Sequence, residues 1–287
     1  MLARSLLLGV LSLSLPLNAW GWGEDGHVIV SRIAEAHLKP AARAAVKELL
    51  DDRSFSDVRI CTWADQIRRS AVYDRKYKNH PLWHYINIEL KVEEADFKPA
   101  EDNDHVLGAI ERFRKVLADR QATKEDRKEA LMFVVHFMED FHQPLHTCHR
   151  AGDRGGNLQP IKSFLGGVEE KSNLHKIWDV DLVKAIRGDL NNDDFAKRLL
   201  EEIKDDDRKK WGEGDVKKWI WESHQIGVKT VYKFTDGADL PKPKAETAAE
   251  LTEENYVKEK RPIVREQIKK AGVRLAQVLN ETFEEKK

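Results

Sequence analysis

Residues 136–146 read HFMEDFHQPLH, three histidines and two acids within eleven residues, directly after the apolar run EALMFVV. A buried helix tolerates ionisable groups only where something compensates them. His136 and Asp140 are four apart and project from one helical face, which Met132 and Phe133 make apolar. Gln143-Pro144 ends the helix, because proline disfavours a helical conformation in the residue before it. His146 follows on the exit turn, placed to point back at the same pocket. The spacing recurs in NLHKIWDVDL (173–182), where His175 and Asp179 are again four apart. One His-x-x-x-Asp pair is commonplace on protein surfaces. Two on apolar helices, with His146 besides, point to a shared cation. Imidazoles and carboxylates without thiolates suit Zn2+ at a catalytic rather than a structural site.

Helical periodicity dominates the elements that must carry these residues. Segments 25–38, 40–51, 58–70, 105–119, 125–142, 174–186, 193–204, 213–234 and 252–283 all read as helices. Strand signals are confined to a hairpin over GGNLQPIKSFLGG (155–167), bounded by glycines, and an extended stretch over WHYINIEL (83–90). Neither polar loop, 91–104 or 236–250, is long enough to divide the chain, and no repeat is evident. The expectation is an all-α, single globular multi-helix domain with a short β-hairpin. At 287 residues, 41% hydrophobic, the chain can bury a core of that size. Its formal net charge of −1 gives no hint of a strongly basic nucleic-acid surface, so any phosphate affinity is expected to come from a local site.

The first 21 residues have the parts of a signal peptide: Arg4, an apolar stretch from Leu6 to Leu17, then small residues at Ala19 and Gly21. Cleavage before Trp22 leaves 22–287 as the mature domain, with a cut after Ala19 as the rival. The apolar stretch is too short to span a bilayer comfortably. The expected protein is exported, periplasmic or secreted, without stable membrane association or an implied protein partner. In an oxidising compartment Cys61 and Cys148, each within four residues of a candidate ligand, are expected to pair as a disulfide rather than remain two buried thiols.

The ordered set WGEDGH (22–27), WAD (63–65), HYIN (84–87), HFMEDFHQPLH (136–146), GGN (155–157) and NLHKIWD (173–179) resembles the S1/P1 nuclease family. Each motif is weak alone, but six in order cover nearly the whole mature chain. The resemblance implies the fold of the phospholipase C/P1 nuclease type and three Zn2+ ions. Carried across residue by residue, one zinc takes Asp65, His84, His136 and Asp140, and a second takes His146, His175 and Asp179. The third takes His27, Asp140 as a bridge, and the amine and carbonyl of an N-terminal Trp22. That amine exists only if cleavage falls after Gly21.

The activity so implied is hydrolysis of single-stranded DNA and RNA to 5′-phosphorylated products, with 3′-nucleotides as further substrates. A hydroxide held between metals roughly 3.5–4 Å apart would attack phosphorus in line, oriented by Asp65. By the same resemblance Arg68 clamps phosphate, Tyr85 and Asn87 form an aromatic platform and a polar base reader, and Asn157 lines the cleft. Stacking on Tyr85 favours unpaired bases, since a duplex hides their faces. Glu139 departs from the glycine common at that position in the family and is expected to face away from the metals. His142 is expected behind the ligands. His37, His80, His105, His149 and His224 read as surface or capping groups, and Trp211, Trp219 and Trp221 as helix-packing residues. Two alternatives stand beside the nuclease: a zinc-dependent phospholipase C, against which the short Trp22–His27 gap and Asp179 in place of glutamate argue, and a non-catalytic zinc-binding or storage protein.

Overall fold

The structure, a computed structural model, describes residues 22–150, 152–163, 170–242 and 248–284; the expected signal peptide lies outside them. The architecture is mostly helical with small sheets. Its centre is the helix Lys124–Asp140, in which every residue from Glu129 to Asp140 is buried. A helix enclosed all round belongs in the middle of a fold rather than on its surface. Thr123 starts it by accepting the Asp126 N–H on its side chain at 3.1 Å, and Pro144 opens the next short turn.

Two apolar clusters flank this axis. One gathers Phe113, Phe133, Phe137 and Trp83 with the helices Pro40–Leu49 and Val106–Ala118. The other gathers Trp22, Trp178, Phe195 and Tyr256 with the segment Leu174–Arg187 and the helix Asn192–Glu202. The C-terminal helix Lys258–Phe283 belongs to both, giving Val264, Ile268 and Ala271 to the second and Leu275, Val278 and Leu279 to the first. The helix Glu24–Ala36 likewise divides its apolar face, Ile29 and Ile33 to one side and Ala34 to the other. Elements shared in this way weld the clusters into one body. The candidate ligands lie along the seam.

Several elements differ from expectation for local reasons. The segment 58–70 is not one helix: Val58–Cys61 stops at Thr62, whose hydroxyl donates back to the Val58 carbonyl at 2.5 Å, and Trp63–Gln66 restarts. Such back-bonding from threonine bends helices, and here the bend turns Asp65 inward. Asp205–Gly212 is a separate short helix, its first turn rich in acids, as suits the positive end of a helix dipole. The hairpin starts after the glycines, Pro160–Ser163 pairing antiparallel with Glu170–Asn173 and parallel with Ala249–Leu251. Ile88–Glu89 pairs in parallel with Cys148–His149, locking the two ligand-bearing loops together. The expected disulfide is not formed. Cys61 and Cys148 are free, buried in different apolar clusters, each thiol directed at a carbonyl of its own turn (Val58 and Pro144). Among the described residues no helix is long and apolar enough to cross a membrane.

Candidate metal centre

The structure brings eight of the expected ligands into three buried groups. Asp65, His84 and His136 form one, His27, His136 and Asp140 a second, and His146, His175 and Asp179 a third.

Backbone carbonyls fix which imidazole nitrogen each group offers. A carbonyl can only accept, so the nitrogen facing it carries the proton. His136 Nδ1–H donates to Cys61 O at 2.7 Å, His146 Nδ1–H to His84 O at 2.7 Å, and His175 Nδ1–H to Gly155 O at 2.6 Å. In the neutral ring each Nε2 then carries the lone pair, directed into the centre. His146 Nε2 and His175 Nε2 then face each other at 3.2 Å, with Asp179 Oδ2 3.2 Å from the latter. Two imidazole nitrogens and a carboxylate oxygen gathered this closely are placed to share one cation.

The other groups repeat this pattern. His136 Nε2 is 3.2 Å from Asp140 Oδ2, 3.1 Å from His84 Nδ1 and 3.6 Å from Asp65 Oδ2. Asp140 splits its oxygens, Oδ2 lying 3.0 Å from His84 Nδ1 and Oδ1 3.6 Å from His27 Nε2. That split would let Asp140 serve both neighbouring groups. Nitrogen and oxygen ligands ~2.0–2.1 Å from a tetrahedral zinc lie about 3.3–3.4 Å from one another, close to the separations here. Both oxygens of Asp65, Asp140 Oδ1, His27 Nε2 and His84 Nε2 are buried without a hydrogen-bond partner, which a protein interior rarely permits. The donor set and its spacing fit zinc.

The electrostatics agree. Burial holds His27 and His84 well below the ordinary imidazole range and pushes Asp65 and Asp179 above the carboxylate range. Burial also acts on His136, but Asp140 and Asp65 outweigh it and hold that group up at about 9. Asp140 is held well down by His136 and His84 despite its burial. Without an ion, the site must protonate some of its own acids or retain a proton on His136.

Supporting residues complete the centre. Trp22 is fully buried and seats against Gly26, where a Cβ would come within 2.5 Å of the Trp22 Cβ. The carbonyl of Asp179 accepts the Gly23 N–H at 2.9 Å, tying the start of the described chain to the third group. Gln143, which the sequence marked only as part of a helix stop, donates to Asp179 Oδ1 at 2.5 Å and accepts the Leu145 N–H at 2.6 Å. Its position before the proline was the available signal. Gly155 adopts φ +59°, and a Cβ there would lie 2.6 Å from the Leu145 carbonyl oxygen. Only glycine fits while presenting its carbonyl to His175.

Arg68 stands at the rim with Nη1 3.5 Å from Asp65 Oδ1. Tyr85 is half-buried, and burial raises its phenol while Arg68 and Arg154 pull the other way. Asn87 is exposed beside it. Asn157 is half-buried, and its amide donates to Arg154 O at 3.0 Å within the glycine turn. Arg154 was not anticipated; it adopts φ +52° between the ligand loop and the GGN turn.

Three expectations change. Glu139 does not simply turn away: Oε2 lies 2.5 Å from His27 Nδ1, and Oε1 accepts from the Ser31 hydroxyl at 2.5 Å. His142 does not back the ligands; it donates from Nδ1 to Met138 O at 2.8 Å and faces Arg274 through Nε2. His80 and His224 are buried rather than superficial, paired with Asp74 and the Thr147 carbonyl. His105 caps the helix Val106–Ala118 as a sequence reading expects, and Trp211, Trp219 and Trp221 are buried packing groups.

Comparison with known proteins identifies relatives of this chain. Residues 22–284 match the model of the S1/P1 Nuclease family. The chain is 31% identical over 280 residues to Endonuclease 2 of Arabidopsis thaliana, covering 93% of this chain and 92% of that protein. It is 28% identical over 293 residues to Nuclease S1 of Aspergillus oryzae, covering 95% and 96%. Against Nuclease P1 of Penicillium citrinum the identity is 30% over 190 residues, 63% of this chain and 67% of that protein. The match runs through every ligand-bearing segment, and this chain belongs to the S1/P1 nuclease family.

Proposed function

We propose that this chain is a zinc-dependent nuclease that hydrolyses single-stranded DNA and RNA to 5′-phosphorylated products and also removes phosphate from 3′-nucleotides. Membership of a nuclease family places it among the hydrolases of ester bonds. The observation that carries the finer reading is the gathering of imidazole nitrogens and carboxylate oxygens into three buried groups, at separations of 3.0–3.6 Å.

Asp65, His84, His136 and Asp140 would hold one zinc, and His146, His175 and Asp179 another. His27 and the shared Asp140 would hold the third together with the Trp22 amine and carbonyl. This last set requires removal of residues 1–21, in keeping with export to the periplasm or beyond, and the family match begins at Trp22. Bound zinc would supply positive charge for the phosphate and Lewis acidity that brings water toward a pKa of ~7.

The chain's own groups do the rest. Asp65, with neither oxygen engaged in a hydrogen bond, orients the attacking water against phosphorus. Arg68 beside it presents a planar cation to a phosphate oxygen. Tyr85 offers a ring face that only an unpaired base can use, with Asn87 beside it and Asn157 across the cleft.

The test is the mature protein on single-stranded DNA, RNA, duplex DNA and phosphatidylcholine, with and without chelator. Single strands should be cut to 5′-phosphate ends, duplex should resist, and chelation should abolish a cleavage that zinc restores. Hydrolysis of lipid alone would favour the phospholipase reading. Full zinc content with no phosphate-ester hydrolysis would favour storage.

A further inference from the structure

Glu139 sits one residue before the bridging Asp140 and is fully enclosed, with both oxygens engaged. Successive residues on a helix point about 100° apart, so Asp140 reaches the centre while Glu139 reaches the neighbouring helix Glu24–Ala36. There it meets His27 and Ser31, four apart on one face. Oε2 lies 2.5 Å from His27 Nδ1, and Oε1 takes the Ser31 hydroxyl at 2.5 Å. The His27 ring is further held by stacking on His136, with centroids 4.3 Å apart and planes 15° from parallel. Nε2, buried and without a partner, is thereby aimed at Asp140 Oδ1.

The other ligand imidazoles with fixed tautomers are oriented by neutral backbone carbonyls: Cys61 for His136, His84 for His146 and Gly155 for His175. His27 Nδ1 instead meets the carboxyl of Glu139, which is not itself among the candidate ligands. A carboxylate hydrogen-bonded to a ligand imidazole fixes its tautomer and makes it a stronger donor to metal. The metal position at His27 is also short of charge, since it shares Asp140 with its neighbour.

We propose that Glu139 is the positioning residue of the His27 metal position: by holding Nδ1 it turns Nε2 toward the centre and so lets this position retain its ion. The inference rests on the zinc reading above. The bland alternative is that Glu139 merely fastens two helices through Ser31.

The experiment measures the individual zinc affinities of the mature protein by chelator competition, for wild type, Glu139→Ala, Glu139→Gln and Ser31→Ala. Glu139→Ala should weaken one ion by ~10–100-fold and leave two at wild-type affinity. Glu139→Gln, which fills the same space and keeps an acceptor without the charge, should weaken the same ion by less; it also serves if the alanine variant does not fold. Ser31→Ala should lower the melting temperature of zinc-free protein with all affinities retained. Unchanged affinities in both Glu139 variants, or equal weakening of all three ions, would overturn the proposal alone. A wild type that never holds a third ion would overturn the zinc reading with it.

Discussion

At the scale of single residues, the site is governed by which nitrogen of each imidazole carries its proton. The carbonyl acceptors of His136, His146 and His175 are set by backbone geometry, so disturbing that geometry disturbs the ligands. Gly155→Ala places a Cβ against the Leu145 carbonyl at a positive φ. It should cost more than ~1 kcal/mol of stability and weaken zinc at the His175 group, both readable in one denaturation and metal-titration series. Gln143→Ala frees Asp179 from its donor and should weaken the same group by ~10–100-fold. Asp65→Asn should abolish hydrolysis while leaving most of the zinc, as metal analysis alongside a nuclease assay would report. In the metal-free site His136 is held at about 9, so zinc must displace its proton at neutral pH. Apparent zinc affinity should therefore rise with pH toward about 9. Calorimetry in buffers of different ionisation heat should detect the released proton at pH 7.5.

At the scale of elements, periodicity revealed the helices, and the His-x-x-x-Asp spacing revealed two ligand pairs, because those signals are local. The bend at Thr62 was hidden, since a threonine inside a helical pattern shows its back-bond only once folded. The part played by Glu139 was hidden for a different reason: its partners His27 and Ser31 lie more than a hundred residues away. Asp65, His84 and His27 carried no spacing signal of their own and came only through family resemblance. The cysteines were misjudged because nearness to ligands in sequence does not place two thiols in one core. The central helix itself rests on ordinary capping. Thr123→Ala removes the acceptor for the Asp126 N–H and should cost about 1 kcal/mol in urea unfolding, with zinc content unchanged. Where this helix exits, burial and the Arg274 guanidinium hold His142 well below the usual imidazole range. The fold therefore favours its neutral form. The associated stability is complete above ~6.5 and is lost as pH falls toward the depressed folded value. His142→Gln should flatten the pH dependence of unfolding in zinc-free protein between pH 7.5 and 5.

At the scale of the molecule, the centre lies where two apolar clusters meet, and its ligands come from the helix Glu24–Ala36, the short helix Trp63–Gln66, the central helix, the loops carrying His84 and His146, and the segment Leu174–Arg187. Ions bound there cross-link all of these, and ligands that bind only the folded state add stability by mass action, ~4 kcal/mol at a thousandfold excess over Kd. Stripping zinc should accordingly lower the melting temperature, and adding it back should restore it. The most direct test of the whole account is the zinc content per chain of protein whose first residue is Trp22, at saturation and after gel filtration. Three ions per chain are expected, falling to two when an extra residue precedes Trp22 and occupies its amine. Saturation at fewer than three ions, or a count indifferent to that extra residue, would contradict it.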